Sequence, residues 1–366
     1  MENIKETPLH SRHVALGAQM SPFAGYDMPI QYKGIVEEHN AVRNACGVFD
    51  VSHMGEVIVR GIEAEMFVNR IFTNDITAIP EGKIAYGMMC HPHGGVVDDL
   101  LVYKYSRNEY LLVINAANIA KDVAWIKANA AGFAVEVEDV SDSYAQIAVQ
   151  GPEAEKVMAE VLGLDYPDMA FYTFEETEVD GEKLIVSRTG YTGEDGFELY
   201  GSPELICRLW DKLIESGKAE PCGLGCRDTL RFEVGLPLYG DELSDDITPL
   251  EAGLGIFVKF DKEGGFIGRK ALAEMKEKGV PRKLVGLEIG DRAIARHGYE
   301  VLGNEGRVIG HVTTGYRGIS VDKSIAAALI EAPYAAKGTE VQVKIRRKCF
   351  PATVTAKKFY KKSYKA

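Results

Sequence analysis

The sequence predicts an α+β protein that ends in a small all-β module. Two patterns carry that expectation. Up to residue 275, hairpin signals alternate with single helical stretches, which favours antiparallel sheets over a doubly wound parallel one. After a charged, Gly- and Pro-bearing link at 276–283 (KEKGVPRK), the apolar segments become short, regularly spaced and mostly extended. At 366 residues the chain exceeds the usual single-domain range, so more than one domain is expected, divided here as 1–275 and 280–366.

The elements justify this in order. GIVEEHNAVRNACGVFD places Ile35, His39, Val42 and Cys46 on one helical face, with Gly47 as the stop. GEVIVRG (55–61) alternates and is β-branched, and IEAEMFVNRIF (62–72) has helical spacing. DDLLVYKYSRNEYLLVIN (98–115) reads as two strands about a turn at Arg107 and Asn108. A helix is expected near 118–130, then strands in FAVEVEDV and YAQIAVQGP and a helix in EAEKVMAEVLG (153–163). GYTGEDGFELY (190–200) looks strand-like. Beyond the link, LVGLEIG, GYEVLG, GRVIGHVTTG, SIAAALI and TEVQVKIR supply the extended segments of the all-β module.

Composition excludes several classes. A net charge of −12 argues against whole-molecule attraction to nucleic acid, and no run of about 18 apolar residues offers a membrane span. The basic exception is local: Lys344, Arg346, Arg347, Lys348, Lys357, Lys358, Lys361, Lys362 and Lys365 either solvate one end or steer an acidic partner. Six cysteines (46, 90, 207, 222, 226, 349) are scattered as reduced thiols would be, and Cys222 and Cys226 lack the CxxC spacing of a redox or zinc pair. The N-terminal MENIKETPLHSRH has no apolar signal core, so the expected address is the cytoplasm, although a processed organellar protein would read the same.

Few stretches carry chemistry. In GGVVDDLLVYKY (94–105), strand alternation puts Asp99 with Leu101 and Tyr103, and Asp98 with Leu100 and Val102. Either both aspartates stay in water at a turn, or one faces a tyrosine-lined surface as a single working acid. His91 and His93 in CHPHGG, with His53, Asp98 and Asp99, raise a metal site, but the two histidines match no helix-borne metal motif and sit at a Pro-bearing turn, so none is expected. GxSxG, Walker and dinucleotide GxGxxG patterns are missing, and with them any evident place for a flavin or nicotinamide. Arg227 in GCRDTLRFEVGLPLYG either holds a carboxylate or belongs to a helix surface on which Asp228 and Arg231 pair. In GYTGEDGFELY, Glu194, Asp195 and Glu198 would repel phosphate; a ligand with donors for a carboxylate and a flat ring for the tyrosines suits it better.

Nine segments, TPLHSRHVALGAQMSPFAGYDMPIQY, EEHNAVRNACGVFDVSHMGEVIVRG, TND, GGVVDDLLVYKY, VINAANIAKD, AVQGP, SRTGYTGEDGFELY, GLGCRDTLRFEVGLPLYG and TPLEAGLGIFVK, resemble in order and spacing the glycine cleavage T-protein (aminomethyltransferase) family. The resemblance runs from about Thr7 to the C-terminus and is most specific up to residue 260. It implies two intertwined α+β folate-binding domains with antiparallel sheets and a C-terminal β-barrel around a central hole. It further implies transfer of the one-carbon unit of aminomethyl-dihydrolipoyl H-protein to tetrahydrofolate, a co-substrate, giving 5,10-methylenetetrahydrofolate and ammonia, with no metal, flavin or nicotinamide. By resemblance Asp99 is the catalytic acid, Glu198 accepts from the pterin, Tyr191 packs near it, and Arg227 holds a folate group or orients Glu198. Met54, Tyr103 and Asn115 match positions that line the folate pocket, and Gly190, Gly193 and Gly196 would let the ring approach closely. Tyr364 is the nearest match to a C-terminal tyrosine that contacts substrate, in a divergent tail, and TTGYRGISVDKSIA departs from the family's Thr-Ser-Gly and Ser-Pro. Relatives sharing the architecture include folate-coupled demethylating dehydrogenases and an iron–sulfur assembly factor, which leaves a folate-dependent demethylation partner or a non-catalytic folate-binding factor as alternatives. The uninterrupted match without an attached flavin domain favours the T-protein.

Overall fold

A computed structural model of the chain describes residues 4–303, 306–362 and 364. Lys365 of the basic tail lies outside them. Among the described residues no helix is long and apolar enough to cross a membrane.

The chain builds two sheets by leaving the first before it is complete. Gly47–Asp50 belongs to a six-stranded sheet in the order Phe174–Val179, Glu182–Ser187, Gly196–Gly201, Ala145–Gln150, Gly47–Asp50, Glu220–Cys222. Its pairings are antiparallel except the last, where Glu220–Cys222 runs parallel to Gly47–Asp50. Between Gly47–Asp50 and Ala145–Gln150 the chain forms a five-stranded antiparallel sheet in the order Ile84–Cys90, Val96–Ser106, Glu109–Ile114, Gly55–Arg60, Glu136–Asp139. Each sheet buries one face against its own helices. Val57, Val59, Leu100 and Leu112 pack with Phe67 and Ile71 of the helix Ala64–Ile71 and with Ile126 of Ile119–Asn129. Ile147, Val149, Val186 and Leu199 pack with Leu209, Trp210 and Leu213 of Pro203–Glu215. The opposite faces meet through Ile84, Tyr103 and Val113 on one side and Phe174, Ile185 and Tyr200 on the other. The result is a helix–sheet–sheet–helix stack, in which strands exposed to apolar neighbours on both faces carry near-continuous hydrophobic sequence.

From Arg282 the chain forms a closed six-stranded barrel in the order Arg282–Ile289, Ser324–Glu331, Val308–Arg317, Glu300–Leu302, Glu340–Ile345, Lys348–Thr355. Alternating inward residues such as Val285, Leu287, Ala326, Ala328, Val343 and Val354 fill it. The α+β expectation with a terminal all-β module therefore holds, and each expected barrel segment is a strand.

Several local expectations change. The helix Ile35–Asn44 buries His39 and Val42, but it ends before Cys46, and Gly47 opens a strand rather than closing a helix. The segment 153–163 gives one α-turn, Ala154–Val157, that widens into a π-turn at Met158–Leu162. GYTGEDGFELY is a loop as far as Asp195 and strand only from Gly196. The strands Gln19–Phe23 and Tyr26–Gln31, paired as a hairpin, and the last barrel strand have no apolar alternation strong enough to announce them.

Candidate functional site

The two sheets, the helix Leu224–Glu233 and the barrel leave a cavity of about 820 Å³ between them. Asp99, Leu101, Val113 and Asn115 line it from the five-stranded sheet, Gln146, Glu198 and Tyr200 from the other, and Arg296, Tyr316 and Arg317 from the barrel. Met54, Tyr191 and Arg227 also reach it. Of the residues singled out from sequence, Tyr103 does not.

The strand Val96–Ser106 separates the two aspartates by simple alternation. Asp98 points inward with no exposure and accepts from Asn115 N (3.0 Å), Asn115 Nδ2 (2.9 Å) and Asn118 Nδ2 (2.8 Å). Neither aspartate is a solvated turn residue. Asp99 points into the cavity and accepts from Tyr86 Oη (2.9 Å) and Asn115 Nδ2 (2.9 Å). Burial, and then the charge of Asp98, push the Asp99 carboxyl up to about 7, against the donors Tyr86 and Asn115. Asp99 is thus poised to exchange a proton near neutrality. Tyr103 shares its face, as alternation requires, but lies where the two sheets close on each other. Its ring packs on Phe174 and its hydroxyl meets Tyr200 Oη at 2.8 Å and Ser187 Oγ at 3.1 Å, so it braces the cavity wall from behind.

Glu198 stands on the strand Gly196–Gly201 opposite Ala148, beside the Tyr200–Gln146 pair. Thr189 donates to Glu198 Oε2 at 2.5 Å, and burial raises the carboxyl above its ordinary value, opposed by Thr189 and by the Arg227 charge. Arg227 lays its guanidinium 4.7 Å from the Tyr191 ring centre, and the Tyr191 hydroxyl donates to Pro237 O. Its buried Nη1 has no hydrogen-bond partner among the described residues. Burial lowers the Arg227 pKa from its usual value, against the Glu198 charge. Asp228 and Arg231 do pair, at 2.7 Å, yet Arg231 is 1% exposed and also binds Glu242, so this is an interior network rather than a surface pair. Arg227 takes no part in it.

The other acids of the glycine-rich loop are already matched. Arg188 grips Asp195 through two bonds of 3.0 and 2.7 Å. Arg43, buried, donates to Glu194 at 2.8 Å and to Glu233 at 3.4 Å, with the Tyr360 ring 4.2 Å away. That leaves Glu198 as the loop-and-strand carboxylate facing the cavity. Gly193 adopts φ +80° and a Cβ on it would strike Val234, whereas a Cβ on Gly190 or Gly196 would strike Gln150; Gly190 also lines the cavity. Tyr364 bonds Glu194 Oε2 (2.5 Å) and accepts from Asp195 N (3.1 Å), on the outer side of the loop. Arg43→Met is expected to lower unfolding free energy by about 3–5 kcal/mol, read from the urea midpoint, because it strands two buried carboxylates.

His91 and His93 close on Asp245, at 2.7 Å to its carboxylate and 2.9 Å to its carbonyl, with stacked rings. Sequence reasoning missed Tyr86 and Gln146, which line the cavity together with Tyr200, the second tyrosine of GYTGEDGFELY, and with His53, weighed from sequence only as a metal ligand. Burial, with the Arg227 charge, holds His53 down to about 4, and its buried Nδ1 has no hydrogen-bond partner among the described residues. Only the inter-strand register, which pairs Met88 with Asp99 and sets Tyr86 two residues away, brings Tyr86 to the acid.

Comparison with known proteins decides the family. Residues 9–262 match the GCVT N-terminal domain model and residues 282–361 the glycine cleavage T-protein C-terminal barrel domain model. The chain belongs to the glycine cleavage T-protein family. Curated relatives named aminomethyltransferase from Caldanaerobacter subterraneus subsp. tengcongensis and Alkaliphilus oremlandii are 51% and 50% identical over 369 residues, covering 100% of this chain and 98% and 100% of theirs. The crystal structure of glycine cleavage system aminomethyltransferase T from Bartonella henselae superposes with a TM-score of 0.94 at 33% identity, covering 99% of each chain. In this member of the T-protein family the barrel loop around Tyr316 lies at the cavity: Tyr316 donates to Asp228, and Tyr316, Arg317 and Ile319 form part of the wall.

Proposed function

We propose that the protein is the tetrahydrofolate-dependent aminomethyltransferase of a glycine cleavage system, taking the aminomethyl group from the lipoyl arm of H-protein. The observation that carries this reading is the pairing of a neutral-range carboxyl, Asp99, with a second buried carboxylate, Glu198, in one cavity of about 820 Å³. Full-length identity of about half with chains named aminomethyltransferase supports it.

A pterin presents an amino group and a ring N–H side by side, and one carboxylate accepts both; Glu198 is that acceptor. The unpartnered Nη1 of Arg227 suits a ligand oxygen better than Glu198, to which no described ion pair joins it. Tyr191 supplies ring contact, and Met54 an apolar wall. Asp99 orients the N–H of the attacking folate nitrogen and balances positive charge on the incoming carbon, with a general-base role open to it. No metal is required of these residues. With a domain division at 1–275 and 280–366, most of the cavity wall belongs to the first part, and the second contributes Arg296, Tyr316, Arg317 and Ile319.

The deciding measurement is ammonia release from aminomethyl-loaded lipoyl H-protein with and without tetrahydrofolate. Folate-dependent release is expected; release that ignores folate, or none despite bound folate, would refute the reading. Exposed Arg346, Arg347, Lys348, Lys358 and Lys361 favour an acidic carrier. H-protein affinity is therefore expected to fall by about tenfold from low to high salt, measured by titration calorimetry, and an unchanged affinity contradicts the steering role.

A further inference from the structure

Behind Asp99 lies a carboxyl that the reaction does not call on. Asp122, in the helix Ile119–Asn129, is 0% exposed, and neither carboxyl oxygen has a donor among the described residues. Asp122 stands one helical turn past Asn118, which donates to Asp98, and this places the two carboxyls beside each other, where they interact. Two carboxylates cannot bond each other; one must carry a proton. Three N–H groups donate to Asp98, which favours placing the pair's negative charge there, whereas Asp122 receives none.

The nearby cation does not change this. Lys121 Nζ stands 3.7 Å from Asp122 Oδ1, too far for a hydrogen bond, and donates to Val97 O and Tyr239 Oη (3.0 Å). The ionisable groups that face the pair are Asp99 from its own strand, Lys121 from the helix and Tyr239 from the loop after residue 235, while Tyr86 and Tyr191 face Asp99. Among them Lys121 and the tyrosines leave the negative balance of Asp98 and Asp99 in place.

We propose that Asp122 is a protonated carboxylic acid that donates its O–H to the Asp98 carboxylate, and that this bond positions Asn115 and Asp99 in the cavity wall. Burial, followed by the interaction with Asp98, pushes the Asp122 carboxyl up to about 11. Asp98 then presents a fixed, partly neutralised carboxylate to Asn115, whose Nδ2 bridges Asp98 and Asp99. Asp122 is a positioning residue: it touches no ligand and acts through Asp98. Its effect on rate rests on Asp99 being the acting carboxyl; its protonation does not.

The test uses the full chain, Asp122→Asn and Asp122→Ala. At pH 8, the infrared difference spectrum, native minus Asp122→Asn, is expected to contain the C=O stretch of a protonated carboxyl; its absence overturns the proton assignment. For folate-dependent ammonia release, Asp122→Ala leaves Asp98 more strongly negative toward Asp99, so the acid limb of the rate profile moves up by roughly one pH unit and the rate at pH 7 falls about fivefold. Asp122→Asn, which keeps a donor, restores most of that loss. An unmoved acid limb in folded Asp122→Ala protein overturns the positioning role. A chain that shows the carboxyl band but no folate-dependent release contradicts the proposed function and leaves the proton assignment standing.

Discussion

Asp99→Asn lowers folate-dependent ammonia release by about 10³-fold, roughly 4 kcal/mol of barrier, while tetrahydrofolate stays bound. The substitution keeps shape and hydrogen bonding: Asn115 Nδ2 still finds an oxygen, and the Tyr86 hydroxyl can turn from donor to acceptor. What disappears is a charge facing the reacting nitrogen. The native rate profile is accordingly expected to show an acid limb near pH 7, where Asp99 gains its proton, and the variant to lack it. Stability moves the other way. Because folding raises the Asp99 pKa above its value of 3.8, the native state holds a proton that the unfolded chain has released, and stability falls as pH rises between about 4 and 7. Asp99→Asn escapes this loss, and thermal unfolding at pH 8 is expected to show a gain on the order of 1–2 kcal/mol. A variant that loses both activity and stability would mean that Asp99 serves the fold. Asp98→Asn, with three donors to disappoint in the interior, is expected to lose stability and less of the rate than Asp99→Asn.

Glu198→Gln weakens tetrahydrofolate binding by about 30- to 1000-fold, corresponding to roughly 2–4 kcal/mol. A carboxylate offers acceptors alone, and the pterin edge presents two donors; an amide turns one of its own donors toward them. The neighbouring Thr189 hydroxyl, 2.5 Å from Oε2, fixes which oxygen stays for the ligand. Calorimetric titration with tetrahydrofolate reads the change directly. If affinity held within threefold, the pterin would have to be recognised elsewhere, and Arg227 with its open Nη1 would be the next residue to vary.

The site was legible in the sequence to the extent that alternation along one strand could make it so. Asp98 and Asp99 point to opposite sides because the strand period is two, and that needed no partner strand. Tyr103 shows where the argument stops: its face was right, but the face passes beneath a second sheet four residues on, a fact held by Phe174 and Tyr200 rather than by the strand itself. Tyr86 is the converse case. Its own stretch, IAYGMMC, has no chemical signature, and only the register with Val96–Ser106 gives it a role. The acids of GYTGEDGFELY could not be sorted from sequence because Glu194 is matched by Arg43, 151 residues away, and nothing in the order of residues says that Arg188, just ahead of the loop, turns back onto Asp195. In the fold, strongly patterned strands and helices were readable, whereas the edge strand Glu220–Cys222 and the hairpin from Gln19 to Gln31 depend on partners for their existence.

The early departure of the chain from its six-stranded sheet bears on how the protein is made. Gly47–Asp50 leaves the ribosome with both flanking strands, Ala145–Gln150 and Glu220–Cys222, still to be translated. At about 5–20 residues per second, the first partner follows only after roughly 5–20 s. During that interval the apolar edge of Val48 and Phe49 has no sheet to join, while the segment between can already assemble its own five strands. Synthesis therefore favours an order in which the inserted sheet is finished first and becomes the template that brings Gly47–Asp50 and Ala145–Gln150 together. A slow stretch of translation just after residue 150 would give that closure time to occur before the third strand, Glu220–Cys222, arrives for the opposite edge of Gly47–Asp50.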